Sequence, residues 1–218
     1  MYRVLEMCRA AVSLIAPNRC PFCDGIVGMT EYWCDSCYGK LAFLEEQSEL
    51  PENLDGLVSV CRYTGRARSA ILRMKQGGYI YSIDAFAVMM AEAGGELIAD
   101  ADIITAVPGS FSRRMQLGYA HAEKIARNIA YRGRKQYRTL LSQSVKQQEQ
   151  KQLDRKQRIE NVRNAYKIVD KEYISGKNIL VVDDVCTTGA TLSVIAGKLK
   201  EAGAVRVYGL TFAKTMSV

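Results

Sequence analysis

The sequence predicts an α/β protein, a parallel sheet flanked by helices, with a small metal-stapled module at its N-terminal end. Three observations predict it. From residue 51 onward, short strand-like apolar runs alternate with helical patterns, as in strand–helix–strand units. The run Ile179-Leu180-Val181-Val182 does not alternate and is rich in β-branched residues, as expected of a strand buried on both faces. Two Cys-x-x-Cys pairs, Cys20/Cys23 and Cys34/Cys37, are separated by ten residues.

The elements follow in order. Val4, Leu5, Cys8, Val12 and Ile15 fall at helical spacing, so residues 1–16 read as an amphipathic helix. Residues 17–40 are dominated by Cys, Pro, Gly and aromatics, and residues 41–50 read as a helix closed off near Pro51. Gly56 to Tyr63 reads as a strand. Residues 66–76 read as a basic helix with Ala70, Ile71 and Met74 inward, and residues 83–99 as one helix despite Gly94-Gly95. Asp102 to Val107 reads as a strand ending at Pro108-Gly109, and residues 116–132 as a helix. Residues 143–157 are polar almost throughout and read as a mobile basic loop or an exposed helix. Strands at 165–169, 177–182 and 205–212 then surround a helix at 188–202. The division expected is a helix and four-Cys module over 1–50 and an α/β domain over 51–218.

Bulk properties bound the rest. The 218 residues suffice for one substantial domain and a small module. The hydrophobic fraction of 48% and charged fraction of 24% are those of a soluble globular chain. No apolar run reaches the length that spans a bilayer, and the stretch before Cys20 lacks a small-residue cleavage site. A cytoplasmic protein with no membrane span is expected. Seven Cys, an odd number with two close pairs, suit metal binding better than a disulfide framework. The net charge of +7 is uneven: Arg113 to Lys167 holds 15 Lys/Arg against 4 Asp/Glu. Such a segment attracts phosphates or nucleic acid, or is simply a solvated face.

Two stretches carry chemistry. Cys20, Cys23, Cys34 and Cys37 can close a tetrahedral Zn²⁺ site, each pair presenting two sulfurs from one turn. The alternative, a redox dithiol, would need only one pair. A four-Cys site leaves no open position, so its role is structural. The second stretch is Asp183-Asp184-Val185-Cys186-Thr187-Thr188-Gly189-Ala190-Thr191. It follows a buried strand and opens a helix. Its backbone N–H groups, hydroxyls and helix N-terminus suit a phosphate. The paired acids beside it suit sugar hydroxyls or a magnesium ion. The bland alternative is a strand–turn–helix in which an acid caps the helix, which needs one carboxylate rather than two.

That second stretch resembles the phosphoribosyl-pyrophosphate loop of type I phosphoribosyltransferases. Joined to the preceding Cys-x-x-Cys pairs, it makes the chain similar to the ComF family, which includes GntX-like proteins. Other stretches add to the resemblance: Tyr63-x-Gly65, Ile71 with Lys75, Val107-Pro108, Arg113-Arg114, Gly118-Tyr119, and Leu153, Arg158, Asn161, Ala165 and Tyr166. The resemblance implies a type I phosphoribosyltransferase-like sheet behind a zinc ribbon. It implies phosphoribosyl pyrophosphate bound with Mg²⁺, with Asp183 and Asp184 as catalytic carboxylates and Val185 to Thr191 as the phosphate cradle. It places Lys75, Pro108, Gly109, Arg113 and Arg114 toward the diphosphate. It also implies a link to DNA uptake in natural competence, with single-stranded DNA and a competence helicase or other uptake proteins as partners.

The chain departs from the family in one place. Where the family has Arg-Gly-Phe-Asn-Gln, this chain has Leu117-Gly118-Tyr119-Ala120-His121. Two functions therefore stay open: transfer of a phosphoribosyl group to an unidentified acceptor, and non-catalytic binding of single-stranded nucleic acid or an adaptor role. His121, the only histidine, is either a helix residue or a group of the site.

Overall fold

The computed structural model describes residues 17–44, 50–76, 80–109, 120–143 and 165–216. The helix expected over 1–16, most of the basic loop at 143–157, Arg113, Arg114, Gly118, Tyr119, Leu153, Arg158 and Asn161 lie outside the described residues.

In chain order the elements are α1 (Asp35–Tyr38), β1 (Gly56–Arg62), α2 (Gly65–Gln76), α3 (Ile80–Ala93), α4 (Gly95–Asp100), β2 (Ile103–Ala106) and α5 (His121–Arg132). There follow β3 (Gln136–Tyr137), β4 (Leu141–Gln143), β5 (Tyr166–Ile168), a 3-10 turn (Lys171–Tyr173), β6 (Asn178–Cys186), α6 (Ala190–Glu201) and β7 (Arg206–Lys214). Five strands form one sheet in the order β1-β7-β6-β2-β3, and every pairing in it is parallel. β4 and β5 form a separate antiparallel pair. The expected parallel sheet flanked by helices is present.

β6 shows why this sheet is covered on both faces. Successive strand side chains point to opposite faces. Leu180 and Val182 join a core shared with α2, α3 and α5, whereas Ile179 and Val181 join a second core shared with α6. No position of Ile179–Val182 faces water, so the sequence there cannot alternate. The helices complement this. α2 buries Ala67, Ala70, Ile71 and Met74, a stripe one helical face wide. α5 buries several alanines besides Ile125 and Ile129, which lets it lie close to the sheet.

The single helix expected over 83–99 is broken into α3 and α4 at Gly94. A Cβ there would lie 2.8 Å from Leu210 Cδ1 and 3.1 Å from the Met90 carbonyl, so glycine eases the close packing of this break against β7. Residues 41–44 are not helical, contrary to the expectation for 41–50. Phe43 makes an antiparallel bridge to Cys61 on β1.

The cysteine-bearing segment shares the core of the sheet. Phe22, between Cys20 and Cys23, is buried against Phe86 of α3 and Phe212 of β7, with ring centroids 6.2 and 6.4 Å away. Phe86 and Phe212 stack at 3.9 Å. Phe212→Ala is expected to lower stability by about 3–5 kcal/mol. Urea unfolding should show a lower midpoint with an unchanged slope.

Candidate functional site

Parallel strands bring their C-terminal ends to one edge of a sheet, where loops can meet around a ligand. Here Tyr63 follows β1, Val107-Pro108-Gly109 follow β2, and Asp183, Asp184 and Val185 end β6. They line a cavity of about 320 Å³, together with Lys75 at the end of α2, Ala120, His121 and Ala122 at the start of α5, and Thr187.

Asp183 and Asp184 are consecutive in a strand, so their side chains leave it on opposite sides. Asp184 follows the parity of Leu180 and Val182, toward α2. There Lys75 Nζ donates to its Oδ1 at 2.7 Å. Asp183 follows the other parity and accepts from the Asp184 backbone N–H at 2.8 Å. Burial raises the Asp183 carboxyl to about 8, and the charge of Asp184 adds to the rise. The Asp184 N–H and the Lys75 ammonium oppose it only in part. One acid of the pair is thus matched by a cation, and the other holds its proton well above the usual carboxylate range.

The turn after β6 is built for a close approach. Gly189 has φ +75° and caps α6. A Cβ there would meet Pro51 Cγ at 2.5 Å, so a side chain is excluded by both backbone and space. Thr187, Thr188 and Ala190 are exposed around it. Thr191 shares a hydrogen bond with the buried Tyr166. Cys186 points inward, and burial is the main cause of its raised thiol pKa.

Among the described residues, the cavity thus gathers Lys75, Pro108, Gly109, Asp183, Asp184, Val185 and Thr187 from the expected set. Thr188 to Thr191 form the adjoining helix start, and Cys186 lies beneath. Tyr63, Ala120 and Ala122 also line the cavity without having been singled out for it. Tyr63 and Ala120 stand in stretches that carried the family resemblance, and Ala122 follows at the start of α5. His121 is buried and lines the cavity as well.

The four cysteines form a second cluster. Their sulfurs all lie within 4.8 Å of one another, with Cys23 and Cys34 Sγ 3.9 Å apart. Four sulfurs on a tetrahedral zinc would stand about 3.8 Å apart, so the set fits such an ion. Two turns present them. Asp24 N–H donates to Cys20 O at 2.8 Å in the first, and Tyr38 N–H to Cys34 O at 3.0 Å in the second. Asp24 takes the left-handed conformation that ends the first turn. Arg66 Nη1 donates to Cys37 Sγ at 2.9 Å. Cys61 stands apart as a buried hydrophobe, its thiol raised to about 12 by burial.

The raised Asp183 carboxyl makes stability depend on pH. Between the ordinary value of 3.8 and about 8, the folded state holds a proton that the unfolded chain has released. Stability therefore falls as pH rises through that window. Thermal unfolding from pH 5 to 8 should show a declining midpoint in the native chain, and a flatter profile in Asp183→Asn.

Residues 116–216 match the family model of the phosphoribosyl transferase domain. No curated protein gives a significant match. Similar solved structures include the allosteric regulatory enzyme of purine biosynthesis (25% identity, TM-score 0.44, 59% of this chain and 25% of that one). Another is glutamine phosphoribosylpyrophosphate amidotransferase from B. subtilis, solved with ADP and GMP (23% identity, TM-score 0.44, 58% and 25%). A third is a purine phosphoribosyltransferase from Pyrococcus horikoshii Ot3 (17% identity, TM-score 0.35, 62% and 77%). This chain spans a quarter of the length of the first two. Among the described residues, no helix is long and apolar enough to cross a membrane. With its parallel sheet, helices on both faces and a matching domain model, the chain has a phosphoribosyltransferase-like fold preceded by four cysteines positioned for a metal ion.

Proposed function

We propose that this chain binds phosphoribosyl pyrophosphate together with Mg²⁺ in the cavity at the C-terminal edge of the sheet. The observation that supports this most is the meeting of Asp183, Asp184, Lys75 and the Pro108-Gly109 loop directly ahead of the N-terminus of α6. The backbone N–H groups of residues 187–191 and the positive end of α6 suit the 5′-phosphate. Asp183 and Asp184 suit the ribose hydroxyls. Lys75, the Pro108-Gly109 backbone, Arg113 and Arg114 are assigned to the diphosphate.

The oxygen donors of the site, two carboxylates and the Thr187 hydroxyl, suit a hard cation such as Mg²⁺. When bound, that ion supplies neutralisation of the diphosphate charge. Loss of diphosphate leaves positive charge on the ribose ring, and the two acids would stabilise it electrostatically. Anchoring the remote phosphate would hold the reacting carbon in place. Ligand and cation favour an ionised Asp183, so binding near neutral pH releases a proton.

The four-Cys segment ahead of this fold supports a ComF-like protein with a structural zinc ribbon acting in DNA uptake in the cytoplasm. The erosion of the polar motif at Leu117 to His121 favours a binding role over transfer to an acceptor. Single-stranded DNA and a competence helicase fit that role. In its favour, Tyr131 is 85% exposed beside Arg132 and Arg134. By contrast, Tyr137 is covered by Arg127 and Tyr166 is buried.

Calorimetry tests the ligand assignment. The native chain should bind Mg²⁺–phosphoribosyl pyrophosphate with net proton release. Asp183→Asn with Asp184→Asn should lose at least tenfold in affinity, about 1.4 kcal/mol, while staying folded by circular dichroism. Unchanged affinity in the double variant would refute the role of the acids. For the nucleic-acid reading, retention on single-stranded DNA should weaken steeply with added salt. No retention at low salt would remove it.

A further inference from the structure

One helix touches both clusters. The side chains of Arg66 and Arg73, seven residues apart on α2, point to the same side. Arg66 donates to Cys37 Sγ at 2.9 Å, and Arg73 Nη2 donates to the carbonyl of Pro21, inside the Cys20–Cys23 turn, at 2.6 Å. These contacts tie α2 to both metal-ligating turns. Two residues after Arg73, Lys75 leaves from the other side of the helix and pairs with Asp184 at 2.7 Å. Between them Ala67, Ala70, Ile71 and Met74 are fully packed in the core.

We propose that the four-cysteine centre positions Lys75 at Asp184 through α2, so that occupancy of the metal centre and of the sugar-phosphate cavity are thermodynamically linked. A bound ion draws four sulfurs to one point and so fixes the Cys37 sulfur and the Pro21 carbonyl. Those are the acceptors that hold the helix. Without the ion, nothing joins the two turns covalently: the four cysteines are free thiols. At the other end, a diphosphate offers Lys75 a second anionic partner besides Asp184. Whatever fixes Lys75 at that end restrains α2, and α2 restrains the two turns. Coupling of this kind is reciprocal. Arg66 and Arg73 are positioning residues, since neither lines the cavity.

The ligand part of this inference rests on the proposed function, but the coupling can be read without the ligand. The full-length zinc-loaded chain is equilibrated with a chromogenic chelator to give its apparent zinc affinity. Lys75→Met should weaken zinc binding about fivefold or more, the low end of common coupling. Lys75→Arg, which keeps the pair with Asp184, should restore the native value. Arg66→Gln should weaken zinc as well, and the Arg66→Gln/Lys75→Met double variant should lose less than the product of the two single losses. Ile195→Val, on α6 and packed in the core on the opposite face of the sheet, controls for general destabilisation and should leave zinc affinity unchanged. Saturating Mg²⁺–phosphoribosyl pyrophosphate should tighten zinc binding in the native chain. Native zinc affinity in Lys75→Met, or losses that simply multiply, would overturn the coupling. If calorimetry shows no phosphoribosyl pyrophosphate binding, the proposed ligand is wrong, and the ligand-free variants still decide the coupling.

Discussion

The structure turns on the period of two in one strand. β6 is buried on both faces along its apolar half, so its side chains must divide between two cores. The same alternation continues past Val182 and sends Asp183 and Asp184 to different sides. It makes one acid the partner of Lys75 and turns the other to accept from the next backbone N–H. Two like charges this close in a partly dry site do not both ionise readily. The cavity therefore starts with an Asp184–Lys75 ion pair beside a carboxyl that holds its proton more tightly than usual. An anionic ligand arriving with a cation can rearrange that set.

The cysteine segment belongs to this arrangement. Phe22 fills the core above Phe212, and Arg66 and Arg73 reach back from α2 to the two turns. A metal ion held by all four sulfurs would have no open position for a substrate, and the part proposed for it is mechanical. The Cys37 sulfur and the Pro21 carbonyl accept from the outer side of the helix whose inner side presents Lys75.

Much of this was legible in the sequence, for identifiable reasons. A strand buried on both faces must be a continuous apolar run, so β6 announced itself through Ile179 to Val182. Gly189 stood in the expected Thr187 to Thr191 turn, and the structure adds its positive φ and the closeness of Pro51 as reasons for glycine there. The two Cys-x-x-Cys pairs predicted one cluster because each spacing fits one turn. What stayed hidden was long-range. The resemblance pointed to Lys75, but its pairing with Asp184 had no local signal, because the two are 109 residues apart. Gly94 read as a tolerated helix glycine, since the close approach of Leu210 comes from a distant strand. β3 is two residues long and β4 three, too short to show a period. Phe43 sat in a helical-looking window, yet its bridge to Cys61 decides its conformation.

The central claim is that this edge of the sheet grips a ribose carrying phosphate at one end and diphosphate at the other. Phosphorus NMR of phosphoribosyl pyrophosphate titrated with the native chain in the presence of Mg²⁺ tests it most directly. The account predicts that the 5′-phosphate and both diphosphate resonances shift or broaden together, saturating at one equivalent. Resonances that stay at their free positions throughout the titration would contradict it.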